Sequence, residues 1–308
     1  MTTDVLATVL RMNLAGAAAV AAVLALRLPA RRMFGPELAY RLWAAPPLAV
    51  LGALLPARPG DLDQAASGLP PAVQQVSVPL LAFWAAGVVL AIAALALAQA
   101  RFLAAARVGH GGPAVVGVIA PRIVMPADDG TYTEAERELI RAHEREHLAR
   151  HDPRAGALCA TLQALCWFNP LAHLGAHAMR LDQELACDAA VLRRRPRDRA
   201  LYARTLLKTQ LAAQALPFGC RWPASGPHPL EVRVGLLKAP VRYEGLAGHL
   251  LITGGLAVVA LAAWTAQPPA PRHLTPIEVR WAQEHHGAMS VLLIRAPTDD
   301  RRALAESD

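Results

Sequence analysis

The chain carries apolar runs that are too long for an ordinary soluble domain, and they constrain its fold more than any other feature. Residues 78–100 contain no charged residue and are long enough to cross the roughly 30 Å of hydrocarbon in a bilayer. Three further runs are candidates for crossing: 5–28, 38–55, which Pro46-Pro47 interrupts, and 246–267. With 54% hydrophobic and 18% charged residues, the sequence predicts a mainly α membrane protein with about four transmembrane helices.

Arginine residues predict how these helices are oriented. Arg27, Arg31, Arg32 and Arg41 lie between the first and second runs or at their facing ends, whereas Arg58 is the only arginine between the second and third. Arg101 and Arg107 follow the third run. Because cytoplasmic loops are enriched in basic residues, both termini are expected outside and the segment after the third helix in the cytoplasm. The predicted division is a membrane region (1–100), a cytoplasmic domain (101–245), a fourth transmembrane helix (246–267) and a short outside tail (268–308).

The predicted cytoplasmic domain begins with a small hairpin and continues with helices. Strands are predicted at 114–118 and 123–125, on either side of Pro121-Arg122. Thr133 and Glu136 form a capping-box pattern that predicts a helix to about residue 151. Asp152 before Pro153 is typical of an N-cap, so a second helix is expected there. Asn169-Pro170 interrupts that helix, and a third helix is expected to run to about Arg194.

The sequence His143-Glu144-Arg145-Glu146-His147 fits the pattern H-E-x-x-H. Residues four apart lie on one face of a helix, so both imidazoles can reach one zinc ion. Glu144 lies beside that face, where its carboxylate can take a proton from a water that the metal activates. Glu146 flanks the same face almost symmetrically, and it is the motif, not the geometry, that selects Glu144.

A catalytic zinc needs a third protein ligand and one open position. Glu184 is the candidate ligand, with His177 as its rival on the same helix. Asp188, one turn after Glu184, is expected to orient a ligand imidazole by accepting its N–H. Asp152 is a further candidate for that supporting role. Cys187 is expected to be buried and not a ligand, and all four cysteines are expected to be reduced thiols.

Residues 155–179 contain no charged residue, and hydropathy alone would allow a fifth membrane crossing. A full crossing would place Glu184 on the other side of the membrane from His143 and His147. Asn169-Pro170 falls near the middle of the segment, so two short helices are predicted instead. They are expected to lie at the membrane interface or to dip into it, and the alternative is a buried pair of core helices.

Several stretches, in this order, resemble the BlaR/MecR antirepressor family of bacterial integral-membrane metallopeptidases, which are gluzincins. They are PAVVGVIAPRIVMP (113–126), AHEREHLARHD (142–152), WFNPLAH (167–173), ELACDAAVL (184–192), LYARTLL (201–207) and HPLEVRVGLL (228–237). The resemblance implies one zinc ion per chain, bound by His143, His147 and Glu184, with Glu144 as the catalytic base. It also implies a multi-pass protein of the bacterial inner membrane.

Family members with a known role relay an outside signal by cleavage that removes a DNA-binding repressor. The expected partners are therefore the lipid bilayer and a cytoplasmic protein substrate such as a repressor. A homodimer is left open. The β-lactam-responsive members carry a penicillin-binding sensor after the last helix. Here none of the five serines is followed by lysine three residues on, so that sensor is expected to be absent.

Two other classes of function compete with a zinc endopeptidase. A non-catalytic signalling scaffold with a structural or vestigial metal site would have no need of Glu144. A nucleic-acid binder could use the five arginines of residues 193–199, but no recognised nucleic-acid fold signature accompanies them, and direct nucleic-acid binding is not expected.

Overall fold

The computed structural model describes most of the chain: residues 2–58, 75–107, 112–125, 127–212, 229–237 and 245–268. By internal contacts, Met1–Pro56 and Gly68–Gln267 form one compact unit. A second unit comprises Ala57–Ser67 and Pro268–Asp308, and almost all of it, including the predicted outside tail beyond residue 268, lies outside the described residues.

Three helices in the described part of the chain are long and apolar enough to cross a membrane. They are α1 (Thr2–Phe34), α4 (Ser77–Arg107) and α10 (Leu246–Thr265). Charged residues are concentrated at the C-terminal ends of α1 and α4, where Arg31, Arg32 and Arg107 lie. These helices confirm the prediction of a mainly α membrane protein.

The predicted transmembrane segment 38–55 differs from the single α-helix expected for it. It consists of α2 (Pro36–Tyr40), a 3₁₀ turn (Arg41–Ala44) and α3 (Ala45–Leu54). Pro46 and Pro47 have no N–H group, so the carbonyls of the preceding turn lack their usual donors four residues ahead. The backbone tightens instead, and Ala45 N–H donates to Leu42 O in the 3₁₀ pattern.

Contacts at the ends of these segments show that consecutive segments along the sequence alternate in direction. Ser77 Oγ lies 3.5 Å from Thr2 Oγ1, so α1 and α4 begin side by side. At that same end, Trp264 Nε1 donates to Pro56 O and Gln267 Nε2 donates to Gly52 O. Gly248, at the start of α10, instead packs on Phe34 and Leu38. Hence α1 and α4 run in one direction, and α3 and α10 run in the other.

The predicted hairpin is present with shorter strands. Strands β1 (Ala114–Val116) and β2 (Arg122–Val124) pair antiparallel, with Val115 opposite Ile123. Gly117 leaves β1 at a φ of 101°, in the left-handed region that glycine tolerates best. A Cβ at this position would also lie 2.8 Å from Ala120 O, so the turn requires glycine on both counts.

Five α-helices lie between the hairpin and α10 among the described residues: α5 (Glu134–Ala149), α6 (Asp152–Leu165), α7 (Pro170–Arg194), α8 (Arg199–Ala212) and α9 (Pro229–Leu237). The capping box at the start of α5 is present in full, with Thr133 and Glu136 each accepting the other's backbone N–H. A core of Leu139, Val191, Leu192, Tyr202, Leu206 and Leu237 joins α5, α7, α8 and α9. The three helices predicted from 133 to 194 are therefore confirmed.

The N-cap predicted at Asp152 is wrong. His151 occupies the cap in the left-handed conformation, with a φ of 58°, and Asp152 is the first residue of α6. No side-chain capping bond is formed there. The Asp152 carboxylate instead bonds to His147 and Arg150, at the end of α5, and to the more distant Tyr40.

Candidate metal centre

Helix α5 presents both histidines of the H-E-x-x-H pattern on one face. His143 and His147 lie one turn apart, and their Nε2 atoms are 3.2 Å from each other. The two rings meet edge to face, with their centroids 4.8 Å apart. Each side chain is only 12% exposed, so the pair is held in a recess of the protein and not on an open helix surface.

Glu184, on α7, brings a carboxylate to the same point. Its Oε2 lies 3.3 Å from His143 Nε2, and its Oε1 lies 3.6 Å from His147 Nε2. Ligand atoms about 2.0–2.1 Å from one tetrahedral zinc lie about 3.3–3.4 Å from each other. The three residues are thus spaced as the ligands of a single zinc would be. The Glu184 side chain is 33% exposed, which leaves one side of the group open.

Asp152 fixes the orientation of His147. Asp152 Oδ2 lies 2.7 Å from His147 Nδ1, and because a carboxylate only accepts, Nδ1 carries the proton. The Nε2 lone pair therefore points toward His143 and Glu184. Burial alone would lower the pKa of His147, but the Asp152 hydrogen bond and the charges of Glu184 and Glu144 raise it overall.

A two-membered chain of hydrogen bonds fixes His143 in the same way. Tyr202 Oη donates to Asp188 Oδ1 over 2.7 Å, and it therefore accepts from His143 Nδ1 over 2.8 Å. Asp188 in turn accepts two hydrogen bonds from one edge of the Arg233 guanidinium, on α9. The prediction that Asp188 orients a ligand imidazole agrees with this geometry, except that Tyr202 carries the contact.

Arg233 is a site residue that no sequence pattern singled out. It is 6% exposed. Its Nε and Nη2 lie 2.8 Å from the two oxygens of Asp188, and its Nη1 lies 2.9 Å from Glu184 Oε2. Burial alone would raise the pKa of Glu184, but Arg233 and the two histidines lower it well below its usual value. Arg233 thus keeps Glu184 ionised and fixes its position.

Glu144 and Glu146 have different surroundings although both are buried. Burial raises the pKa of Glu144, and the charges that act on it are those of His143, His147, Glu184 and Arg233. Glu146 forms an ion pair with Arg194, at the end of α7. The two carboxyl groups therefore differ in position: Glu144 lies beside the candidate ligands, and Glu146 is paired with Arg194.

His143, His147 and Cys187 can also be grouped as a metal site, with ligand atoms within 4.8 Å of one another. However, Cys187 Sγ lies 3.2 Å from His147 Nδ1, the ring nitrogen whose proton Asp152 accepts. Cys187 is fully buried, and burial raises the pKa of its thiol well above the usual value. We therefore favour the Nε2 side with Glu184, which also keeps an open face.

The rival ligand His177 lies on α7 two turns before Glu184, about 10 Å away along the helix axis. Its charged neighbours are Arg180, on the same helix, and Arg27 of α1. The structure thus gathers His143, Glu144, His147, Glu184, Asp188 and Asp152, and it places His177 toward α1.

The chain was compared with known proteins. Residues 7–67 and 62–237 match the family model described as BlaR1 peptidase M56, which together is about three-quarters of the chain. Regulatory protein BlaR1 of Bacillus licheniformis is 32% identical over 81 residues. That alignment covers 26% of this chain and 14% of the relative. No solved structure matches.

Proposed function

Since the chain belongs to the BlaR1 peptidase M56 family, we propose that it is a regulatory zinc-dependent endopeptidase of the bacterial inner membrane. The convergence of His143 Nε2, His147 Nε2 and the Glu184 carboxylate within 3.2–3.6 Å supports this proposal most directly. Three potential acceptor groups this close need a cation or a shared proton between them, and their chemistry suits zinc.

Each side chain of the site has a task in this proposal. When bound, zinc lowers the pKa of water toward about 7 and polarises a carbonyl oxygen. Glu144 takes a proton from the attacking water and passes it to the leaving amine. Because burial raises the pKa of Glu144, the carboxyl can hold that proton between the two transfers. Tyr202 and Asp152 orient the ligand imidazoles, and Arg233 positions Glu184.

The substrate is proposed to be a cytoplasmic protein, such as a DNA-binding repressor, because of the family and the arginine distribution. In this orientation, residues 101–245 face the cytoplasm and both termini lie outside. The two-stranded sheet has unpaired edges among the described residues, and it contacts α5, the helix of the two histidines. Such an edge can hold an extended peptide by main-chain hydrogen bonds.

Glu144→Gln, compared with Glu146→Gln, tests the proposal. General-base catalysis contributes about 10²–10⁴-fold, so Glu144→Gln should lower cleavage by that factor while its bound zinc, measured by mass spectrometry, stays at one per chain. Glu146→Gln, two residues away on the same helix, should cleave within a few-fold of wild type. Cytoplasmic fragments that appear with wild type and vanish with Glu144→Gln would identify the substrate.

Wild-type cleavage by Glu144→Gln would contradict the assignment of the base. If cleavage and signalling were both unchanged by Glu144→Gln and by loss of zinc, the chain would be a signalling scaffold with a structural or vestigial metal site.

A further inference from the structure

The first half of α7 runs beside α1, in the same direction and in matched register. Asn169 Nδ2 lies 3.5 Å from Asn13 Oδ1. A Cβ at Gly175 would lie 2.8 Å from Val20 Cγ1. Asp182 Oδ2 lies 3.5 Å from Arg27 Nη1. The contacts therefore advance along both helices at the same rate, from Asn13 to Arg27 on α1 and from Asn169 to Asp182 on α7.

The turn between α6 and α7 also lies against the long apolar helix α4. Trp167 Nε1 donates to Trp84 O over 3.2 Å, and Trp84 Nε1 donates to Leu165 O over 2.8 Å. A Cβ at Gly87 would lie 2.1 Å from Cε2 of Trp167. The indole therefore packs directly on the backbone of α4, where any side chain larger than that of glycine would clash with it. Trp84 is near the start of α4, far from the arginines at its other end.

These contacts give the depth of the turn. The 13-residue advance from Asn169 to Asp182 corresponds to about 20 Å of helix. Trp84 and Arg101, on α4, are 17 residues apart, which corresponds to about 25 Å. If Arg27, Arg31 and Arg32 of α1 and the arginines of α4 mark one boundary of the hydrocarbon, the turn lies past the middle of a layer about 30 Å thick. Arg11 of α1 lies beyond the turn, about 24 Å from Arg27 and toward the opposite boundary.

Polar groups at the turn find partners within the protein, as a dry environment requires. His173 Nε2 lies 2.7 Å from Trp167 O, and its Nδ1 lies 3.4 Å from Gln163 Nε2. The Asn169 side chain accepts from Leu171 N–H and caps α7. With Trp84 Nε1 on Leu165 O, two carbonyls of the turn are thus bonded by side chains without water.

We propose that α6 and the first half of α7 form a re-entrant membrane hairpin, which enters from the side of the metal centre, turns at Trp167–Asn169 in the hydrocarbon and returns to the same side. The apolar side chains that it exposes, Leu158, Phe168 and Leu174, are 46–48% exposed, and lipid acyl chains cover them. Residues 155–179 carry no charge, and the charged residues of the hairpin lie at its two ends, on the side of the metal centre.

Cysteine accessibility in native membranes tests the proposal. Phe168→Cys places a thiol at the turn, where the parent side chain is 47% exposed. Leu90→Cys, at a position 70% exposed on α4, is the lipid reference. Ala149→Cys, at an exposed position at the end of α5, is the aqueous reference. The vesicles are opened so that a membrane-impermeant maleimide reaches both faces of the membrane. Labelling of the unaltered protein is subtracted from that of each variant, and the difference is divided by the labelling after denaturation.

Phe168→Cys should label at least tenfold more slowly than Ala149→Cys and at a rate close to that of Leu90→Cys. Labelling as fast as that of Ala149→Cys would overturn the proposal, because it would place the turn in water as part of a soluble domain.

A second measurement avoids new thiols. The wild type and Trp167→Phe are each reconstituted with phospholipids brominated at different depths. The difference between their tryptophan fluorescence is the contribution of Trp167. Bromines near the middle of the bilayer should quench this component most. Strongest quenching by bromines near the headgroups, or none at any depth, would place Trp167 outside the hydrocarbon and overturn the proposal.

Discussion

Tyr202→Phe removes one oxygen atom from the candidate metal centre. The hydroxyl accepts from His143 Nδ1 over 2.8 Å and donates to Asp188 Oδ1 over 2.7 Å, and Tyr202 is 4% exposed. Without it, the His143 N–H has no close acceptor, since Asp188 Oδ1 is 3.5 Å from Nδ1. The ring of Tyr202 stays in the core, so the substitution tests the hydrogen bonds and not the packing.

The size of the effect follows from two independent figures. A buried polar group that loses its partner costs about 1–3 kcal/mol. Loss of a hydrogen bond behind a metal ligand typically lowers metal affinity or activity about 10–100-fold, which corresponds to about 1.4–2.7 kcal/mol. Because the two ranges agree, we expect Tyr202→Phe to weaken zinc binding by one to two orders of magnitude.

Zinc affinity is measured by competition with a chromogenic chelator, on protein purified in detergent. Tyr132→Phe is the matched control, since Tyr132 is also buried, and its ring, which the substitution keeps, contacts Lys208. This control should bind zinc as wild type does. If Tyr202→Phe binds zinc within twofold of wild type, the hydroxyl does not orient His143 as argued.

Three further predictions concern the metal and its supporting residues. Free zinc at 100 times its Kd should stabilise the folded protein by about 2.7 kcal/mol, measured as a chelator-sensitive rise in Tm that His147→Ala abolishes. Arg233→Met should lower stability by about 3–5 kcal/mol, because it leaves the buried Asp188 and the partly buried Glu184 without their partner. Arg141 pairs with the exposed Glu134, a pair worth at most about 1 kcal/mol, so Arg141→Met should have little effect on Tm. Tyr40→Phe should weaken zinc binding less than tenfold in the chelator assay, because Asp152 loses a 3.2 Å hydrogen bond from Tyr40 but keeps the closer one from Arg150.

The parts of the site that the sequence predicted depend on short-range patterns. His143, Glu144 and His147 share one helix face, and that spacing alone defines their geometry. The predicted start of α7 is confirmed because Asn169-Pro170 supplies both a side-chain cap and a first-turn proline. Glu184 could be proposed because an acidic residue on the next long helix was needed to complete a zinc site.

The parts that the sequence did not predict depend on contacts between distant segments. Tyr202 and Arg233 reach the centre from α8 and α9, and their spacing from the motif obeys no helical period. One signal was available for Arg233: it lies between Val232 and Val234 in a short apolar helix, where a buried charge needs a partner. Asp152 was assigned to a cap, besides its candidate supporting role, because its local sequence fits one, whereas its carboxylate bonds to His147 and Arg150 at the end of α5 and to the distant Tyr40.

Helix α7 joins the membrane region to the metal centre. Asp182 accepts a hydrogen bond from Trp43 over 2.8 Å and pairs with Arg27 and Arg31 of α1. Glu184 follows two residues later on the same helix, about 3 Å along its axis. An α-helix is stiff over so short a distance, so the position of this candidate ligand depends on how α1 packs against α7. A displacement of α1 at Arg27 would therefore move Glu184 relative to His143 and His147, which lie on α5. Such a change would alter the access of a peptide to the open face of the centre.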